Sequence, residues 1–179
     1  MVTEGYKKRM QELAGIKKKK EIIFLVGLPG SGKSTFIKSL RRKNPEVDYV
    51  VASHDDILED LGAEMGMSYN DAYKNINFKE KLYPIFVDTI KKAVKKGKNI
   101  IVDCTNMKRS DRVTVLEMVS EDYKKIAVVF NVPPDELKKR LKKRERETGK
   151  YIPDEAIEKM RGYYIPPSKS EGFNKIINL

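Results

Sequence analysis

The sequence has little cysteine and no long apolar run, and each feature excludes a class of protein. Cys104 is the only cysteine among the 179 residues, so an internal disulfide and a four-cysteine zinc site are excluded. The longest apolar stretch runs from Ile22 to Leu28, far short of the roughly 20 residues that a membrane helix needs. The first 21 residues are rich in Glu, Lys and Arg, unlike the apolar core of a secretory signal. We therefore expect a cytoplasmic protein without a membrane segment.

The positive charge is concentrated in two short windows. The formal net charge is +11, and residues 1–20 and 138–150 carry +5 and +6 of it, so the remaining 146 residues are neutral together. Local basicity of this kind favours an anionic partner. For residues 1–20 a solvated helix face is the simpler interpretation, and we treat this window as a basic N-terminal extension to a single domain at residues 21–179. Residues 3–14 fit a helix of their own.

Alternating strand and helix patterns predict the fold. Apolar runs rich in β-branched residues predict five strands, at Glu21–Val26, Asp48–Ala52, Asn99–Asp103, Lys125–Val132 and Lys175–Leu179. The first four runs are almost continuously hydrophobic, as in a parallel sheet buried on both faces. Helical patterns lie between them, at Ser34–Lys43, Tyr69–Lys96 with a break near Asn77, Asp111–Ser120, Asp135–Glu147 and Asp154–Arg161. This order predicts an α/β fold with a five-stranded parallel sheet and helices on both faces.

Three residues mark expected helix ends. Ser68 is placed to cap the helix that begins at Tyr69, and Gly97 to end the long helix after it. Pro153 stands where the last helix is expected to begin.

A phosphate-binding loop follows the first strand. Residues 27–35 read Gly-Leu-Pro-Gly-Ser-Gly-Lys-Ser-Thr and match G-x-x-x-x-G-K-[ST] between a strand and a helix. The glycines let backbone N–H groups turn toward phosphate oxygens, and the helix N-terminus adds positive potential. Lys33 is expected to reach the β- and γ-phosphates, and the Ser34 hydroxyl to bind Mg²⁺. The expected cofactors are ATP and Mg²⁺, held by Gly27, Pro29, Gly30, Ser31, Gly32, Lys33, Ser34 and Thr35.

Polar residues follow the second and third strands, where ligands bind in an open parallel sheet. Asp55 and Asp56 come after the second strand, and either could act as a general base or cap the helix before Ile57. We expect one of the two to be the cap. His54 and Cys104 are interpreted as structural.

Asp103 ends the third strand, and Thr105 and Asn106 follow it. As the acid that closes an apolar strand, Asp103 fits a Walker-B-like position beside Mg²⁺. With Asp55, these three residues are the candidate substrate contacts.

The second basic window predicts a lid. Arg140 and Arg144 are four residues apart and share one helix face. Such arginines can close over bound phosphates and neutralise charge that develops during transfer. The stretch Glu147–Lys150 offers a flexible return, which places the lid at about residues 134–152. A wholly solvated basic helix is the alternative.

These features together resemble the kinase domain of polynucleotide 5′-hydroxyl kinases, found in phage enzymes and in the animal kinase-phosphatase. The matching motifs span Glu21 to Leu179: the P-loop, the Asp55-Asp56 pair, Asp103-Cys104-Thr105-Asn106 as the family's D-x-T-N, the two lid arginines, and a tail from Pro166 to Phe173 that contains Glu-Gly-Phe. The resemblance implies a P-loop NTPase fold of the kinase type. It also implies that Asp55 is the general base on the 5′-hydroxyl and that Arg140 and Arg144 contact nucleotide phosphates.

The sequence departs from this family at one position. The phage enzymes carry an arginine three residues after the base, near the 3′-phosphate of the acceptor, and Leu58 stands here instead. A D-x-D-G-T phosphatase motif is absent, so no 3′-phosphatase activity is expected of this chain.

Several functions share these motifs. The first is ATP-dependent phosphorylation of a nucleic-acid 5′ end, of DNA or RNA. The second is phosphorylation of a small hydroxylated metabolite or nucleotide on the same scaffold. A nucleotide switch or motor is disfavoured because no N-K-x-D guanine motif is present, and an ATP-hydrolysing nucleic-acid-binding protein is a fourth possibility.

Overall fold

A five-stranded parallel sheet forms the centre of the molecule. The structure is a computed structural model that describes residues 20–179 and, before them, Gly5. The helix predicted over residues 3–14, and nearly all of the basic extension, therefore lie outside the described residues. The strands are β1 (Lys20–Val26), β2 (Tyr49–Ser53), β3 (Asn99–Asp103), β4 (Tyr123–Val129) and β5 (Lys175–Asn178). They are ordered β2-β3-β1-β4-β5. Every neighbouring pair is parallel, as the sequence predicted.

Helices alternate with the strands along the chain. They are α1 (Lys33–Lys43), α2 (His54–Glu64), α3 (Tyr69–Asn75), α4 (Tyr83–Lys95), α5 (Arg109–Leu116), α6 (Pro134–Thr148) and α7 (Asp154–Gly162). A π-helical turn at Phe78–Leu82 precedes α4, and a 3₁₀ turn at Lys169–Glu171 precedes β5. The predicted break near Asn77 is confirmed, because its side chain accepts hydrogen bonds from the backbone of Lys79 and Glu80.

The central strand β1 shows why helices pack on both faces of the sheet. Ile22, Phe24 and Val26 of β1 pack in a core with α4 and α5. The alternate residues Ile23 and Leu25 pack with α1 on the other face. Successive side chains of a strand point to opposite faces, so a continuous apolar run is stable only with helices on both sides.

Strand β4 differs from its predicted bounds. It begins two residues before Lys125 and ends at Val129 rather than Val132. Its pairing with β1 runs from Lys20–Tyr123 to Val26–Val129. Beyond Val26, β1 ends and the chain turns into the P-loop. The end of β1 therefore sets the length of this pairing.

Helix α2 is absent from the helical patterns predicted above, and its cap corrects a prediction. The side chain of Ser53, the last residue of β2, accepts a hydrogen bond from the Asp56 backbone N–H at 3.1 Å. Neither Asp55 nor Asp56 caps the helix, because the helix begins immediately after the strand at His54. Both acids instead lie in the first turn, where negative charge is favoured by the helix dipole.

The other predicted helix ends are confirmed. The Ser68 hydroxyl caps α3 by accepting from the Asp71 backbone N–H at 3.2 Å. Gly97 ends α4 with a φ of 60°, a left-handed conformation that glycine adopts without steric cost. Pro153 is the residue before α7.

Candidate active site

The P-loop joins β1 to α1 and is tied to the neighbouring strand. The Gly27 backbone N–H donates to the Thr105 carbonyl at 2.9 Å. The Lys33 ammonium folds back over the loop and donates to the Gly27 and Leu28 carbonyls, each at 3.0 Å. Burial lowers the pKa of Lys33, while the nearby charges of Asp103 and Asp55 oppose that shift. The lysine is therefore a partly desolvated cation held at the mouth of the loop.

The loop backbone has no room for a side chain at its first glycine. A Cβ at Gly27 would lie 2.8 Å from the Ser31 hydroxyl oxygen and 3.0 Å from Phe130. Gly30 and Gly32 have φ values of 78° and 106°, a region that L side chains rarely adopt. The Ser31 hydroxyl is buried and has no hydrogen-bond partner among the described residues. A tight glycine loop with an unpartnered buried hydroxyl fits an oxygen-rich ligand such as a phosphate chain.

A cavity of about 1120 Å³ opens in front of the P-loop. Its lining includes P-loop residues Pro29 to Thr35, the start of α2 (Ser53 to Asp56, Leu58 and Glu59), Asp103 to Thr105, Arg140 and Arg144, and the segment from Lys150 to Pro153. The expected nucleotide, base, acid and lid residues are thus brought to one cavity. A typical pocket for one small ligand has a volume of roughly 300–1000 Å³, so this cavity is at least large enough for a nucleotide.

Asp103, Asp55 and Asp56 line the cavity, and the first two lie near the loop lysine. Burial raises the pKa of Asp103, with Lys33 acting against the shift and the charges of Asp56 and Asp55 adding to it. Burial also raises the pKa of Asp56, while its hydrogen bond with Ser53 opposes this. These carboxyl groups are therefore close enough to repel one another. A cation placed among them would relieve the repulsion.

Ser34 and Asp103 both line the cavity and offer the oxygen ligands that Mg²⁺ prefers. Within residues 20–179, no group of three or more His, Cys, Asp and Glu side chains could hold a metal ion. The two residues therefore fit a magnesium ion that takes its other ligands from phosphate and water, as Mg²⁺ commonly does.

Asp55 is paired on both carboxylate oxygens. Its Oδ1 accepts a hydrogen bond from the Tyr69 hydroxyl at 3.0 Å. Its Oδ2 lies 3.3 Å from the Arg144 guanidinium of helix α6. The predicted base and one predicted lid arginine therefore meet directly across the cavity, although they are far apart in sequence.

Arg140 lies one turn before Arg144 and overhangs the P-loop. Its Nε donates to Glu136 at 2.8 Å, and its guanidinium is 3.8 Å from the position that a Cβ on Gly32 would take. The two arginines thus occupy different parts of the cavity, Arg140 above the loop and Arg144 beside the acid.

Thr105 and Asn106 have different positions. Thr105 lines the cavity. Asn106 is buried behind it, has a φ of 49°, and donates through its amide to the carbonyls of Leu25, Val102 and Cys104 at 2.9, 3.1 and 3.3 Å. The expectation that Asn106 contacts substrate does not fit this placement, because its donors are already used to hold the β3–α5 turn.

A buried ion pair supports the same turn and was not predicted as part of the site. Arg112 and Glu171, both fully buried at their side chains, form two N–H···O bonds of 2.8 Å. Arg112 also donates to the carbonyls of Asn106 and Met107 at 2.9 and 3.2 Å. Glu171 belongs to the Glu-Gly-Phe tail of the family resemblance, so the tail motif was the available signal for this pair.

His54, Cys104 and Leu58 also line the cavity. The His54 ring packs edge-on against Phe78 and Phe86, and burial lowers its pKa to about 4. Burial raises the pKa of the Cys104 thiol. Leu58, at the position of the arginine in phage enzymes, is buried in an apolar cluster with Ala72. A neutral histidine and a protonated thiol are consistent with the structural role expected for His54 and Cys104.

Comparison with known proteins agrees with this arrangement. A family model described as an AAA domain matches residues 22–167. An L-seryl-tRNA(Sec) kinase of Methanococcus maripaludis is 30% identical over 148 residues, covering 82% of this chain and 53% of the relative. A protein of Acanthamoeba polyphaga mimivirus, named as a bifunctional polynucleotide phosphatase/kinase, is 28% identical over 164 residues, covering 89% of this chain and 33% of the relative. The chain thus spans about half of one curated relative and a third of the other.

Among solved structures, a chain of the Pnkp1/Rnl/Hen1 RNA repair complex matches with a TM-score of 0.66 and 27% identity. That match covers 83% of this chain and 46% of the other.

None of the helices within residues 20–179 combines the length and apolarity needed to cross a membrane. The family match extends over residues 22–167, which is most of the chain, and the chain therefore belongs to the AAA-domain family.

Proposed function

We propose that this chain transfers the γ-phosphate of ATP to the 5′-hydroxyl of a nucleic acid. One observation carries the proposal: Asp55 and Arg144 form an ion pair in the cavity that the P-loop lysine also lines. This arrangement offers a proton acceptor and mobile positive charge on the side of the cavity from which an acceptor hydroxyl would approach. The motif resemblance selects the same two residues independently.

The proposed chemistry is an in-line displacement at the γ-phosphorus. The Asp55 carboxylate takes the proton of the acceptor hydroxyl, the acceptor oxygen forms the new P–O bond, and the bond to the β-phosphate oxygen breaks to release ADP. Lys33 holds the β- and γ-phosphates, and Arg140 and Arg144 neutralise charge that develops during transfer. Arg144 turns from Asp55 Oδ2 toward phosphate for this step, which frees that carboxylate oxygen for the acceptor hydroxyl.

Magnesium belongs to the proposal as well. Ser34 and Asp103 are the residues that would hold the ion. When bound, Mg²⁺ neutralises phosphate charge and orients the phosphate chain.

Exposed aromatic side chains in the cavity favour a nucleic-acid acceptor over a sugar. Tyr73, Phe78 and Tyr151 line the cavity and remain 64%, 46% and 55% exposed. Exposed aromatic rings next to basic side chains are typical of sites where bases stack on a protein. Lys150 and the two lid arginines supply the basic side chains in the same cavity. The name of the mimivirus relative, a bifunctional polynucleotide phosphatase/kinase, supports the same class of acceptor.

An acceptor panel tests the proposal. Labelled ATP is incubated with a 5′-hydroxyl DNA oligonucleotide, the matching RNA, a nucleoside and a sugar, and the same oligonucleotides bearing a 5′-phosphate serve as blocked controls. We expect label on a 5′-hydroxyl oligonucleotide and none on its blocked counterpart, with Lys33→Ala inactive. Label on the nucleoside or sugar alone would assign the chain to small-molecule kinases. ATP hydrolysis without labelled acceptor would contradict a kinase function.

A further inference from the structure

Tyr69 touches the proposed base but lies outside every motif in the sequence. It begins helix α3, and its hydroxyl donates to Asp55 Oδ1 at 3.0 Å. The other oxygen of the same carboxylate faces Arg144 at 3.3 Å. The two oxygens of Asp55 therefore have partners of different kinds, a neutral donor on one side and a movable cation on the other.

The Tyr69 hydroxyl keeps its proton at neutral pH and so remains a hydrogen-bond donor. Burial raises the pKa of Tyr69, and the charge of Asp55 and its hydrogen bond raise it further, while Arg144 acts in the opposite direction. The hydroxyl proton therefore stays in place well above neutral pH. An ionised carboxylate is an acceptor only, so a permanent donor at Oδ1 limits the rotation of the carboxylate plane.

The start of α3 is also joined to the lid. The Asn70 amide donates to the Gly149 carbonyl at 2.9 Å, and its oxygen accepts from the Tyr151 backbone N–H at 3.4 Å. The Lys150 ammonium lies 4.8 Å from the centre of the Tyr69 ring and pairs with Glu59 of helix α2. Tyr69 is thus held from the lid side by its ring while its hydroxyl holds Asp55.

We infer that Tyr69 is a positioning residue that holds Asp55 Oδ1 so that Oδ2 faces the acceptor hydroxyl once Arg144 turns to the phosphates. The inference rests on the phosphate transfer proposed above. It assigns a role to the hydroxyl alone, since the ring and its contact with Lys150 are retained in phenylalanine.

Tyr69→Phe therefore tests the inference with little disturbance of packing. The Tyr69 hydroxyl donates to an ionised carboxylate. Loss of such a charge-assisted hydrogen bond corresponds to roughly a 10- to 100-fold effect, and we expect a fall of that size in the single-turnover rate with no change in the KM for ATP. Tyr83→Phe is the matched control, because it removes the same hydroxyl from helix α4, where the ring packs on Phe86. An unchanged rate in Tyr69→Phe, or a loss seen only as weaker ATP binding or a lower Tm, would overturn the inference.

A second measurement needs no activity. The ¹³Cζ resonance of Tyr69, assigned by its loss in Tyr69→Phe, should move in Asp55→Ala while that of Tyr83 stays in place. A resonance that does not respond to Asp55→Ala would show that the contact is absent in solution. If the acceptor panel finds no phosphate transfer while this resonance does move, the proposed function fails and the Tyr69–Asp55 contact stands.

Discussion

The Asp55 carboxylate and the Arg144 guanidinium are 89 residues apart in sequence and 3.3 Å apart in the structure. The pair connects the first turn of α2 to helix α6 over the cavity, and the Asp55 side chain is still half exposed. Ion pairs of this exposure contribute little to stability. The pair can therefore separate at low cost when phosphate offers Arg144 a second anionic partner.

We expect Asp55→Asn to abolish phosphate transfer and to preserve ATP binding. The amide keeps the size of the side chain but cannot take the acceptor's proton. Asp56→Asn should be milder, since the contacts with Tyr69 and Arg144 belong to the Asp55 carboxylate. Single-turnover transfer and calorimetric ATP affinity, measured for both variants, decide between the two acids. A dead Asp56→Asn beside an active Asp55→Asn would reverse the assignment.

Arg144→Ala should lower kcat by ~10²–10³-fold, the scale for losing one contact to developing charge. The KM for ATP should change less, because this arginine acts mainly during transfer. Arg140→Ala should lower kcat and also raise the KM for ATP, since its guanidinium overhangs the P-loop. Arg42→Ala, an exposed arginine at the end of α1, is the control for loss of a positive charge. Unchanged kcat in both lid variants would make α6 a solvated face.

Glu171→Gln should destabilise the fold more than any exposed charge change. It leaves the fully buried Arg112 guanidinium without its anion, and breaking a buried pair in this way costs about 3–5 kcal/mol. Urea unfolding followed by circular dichroism measures the effect. Asp88→Asn removes the partner of Lys92 in an ion pair that is exposed on both sides and should change little. Equal midpoints for the two variants would contradict a structural role for the tail motif.

His54 should make stability depend on pH. Its pKa is about 4 in the folded protein and 6.5 for an ordinary histidine, so protons bind the unfolded chain more tightly. The contribution is fully present above pH 6.5 and is lost as the pH falls toward 4, with about 1.5 kcal/mol lost between pH 6.5 and 5. Unfolding midpoints across this range should fall less steeply in His54→Gln. Parallel curves for the two proteins would exclude this histidine as the cause.

A polynucleotide acceptor should bind more weakly as salt rises. Neutralising phosphates releases counterions, with a slope of about −0.7 per contact for single strands. The basic window at residues 138–150 is the expected source among the described residues. The acceptor KM is measured at several salt concentrations for an oligonucleotide, with a nucleoside lacking phosphates as the control. A salt-independent oligonucleotide KM would favour the small-molecule alternative.

Local signals were sufficient for the sheet and the P-loop. A buried parallel strand needs an apolar run, and the phosphate loop needs glycine at positions such as Gly27 where a side chain cannot fit. Both requirements act within about ten residues, so both can be recognised without knowing the fold. Helix α2 was anticipated only through a cap before Ile57, because its five acids within eleven residues hide the short apolar stripe.

The sequence by itself determined the fold class, the phosphate loop and the residue types at the sheet edge. Only the tertiary structure decided what those residues touch: Asp55 meets Tyr69 and Arg144, Asn106 turns away from the cavity, and Arg112 pairs with Glu171. These contacts join segments far apart in the chain, and they depend on strand order and helix placement. The partners of a side chain depend on how the elements pack and not on its neighbours in sequence. A local pattern can therefore mark a residue as a candidate but cannot identify the residues that it contacts.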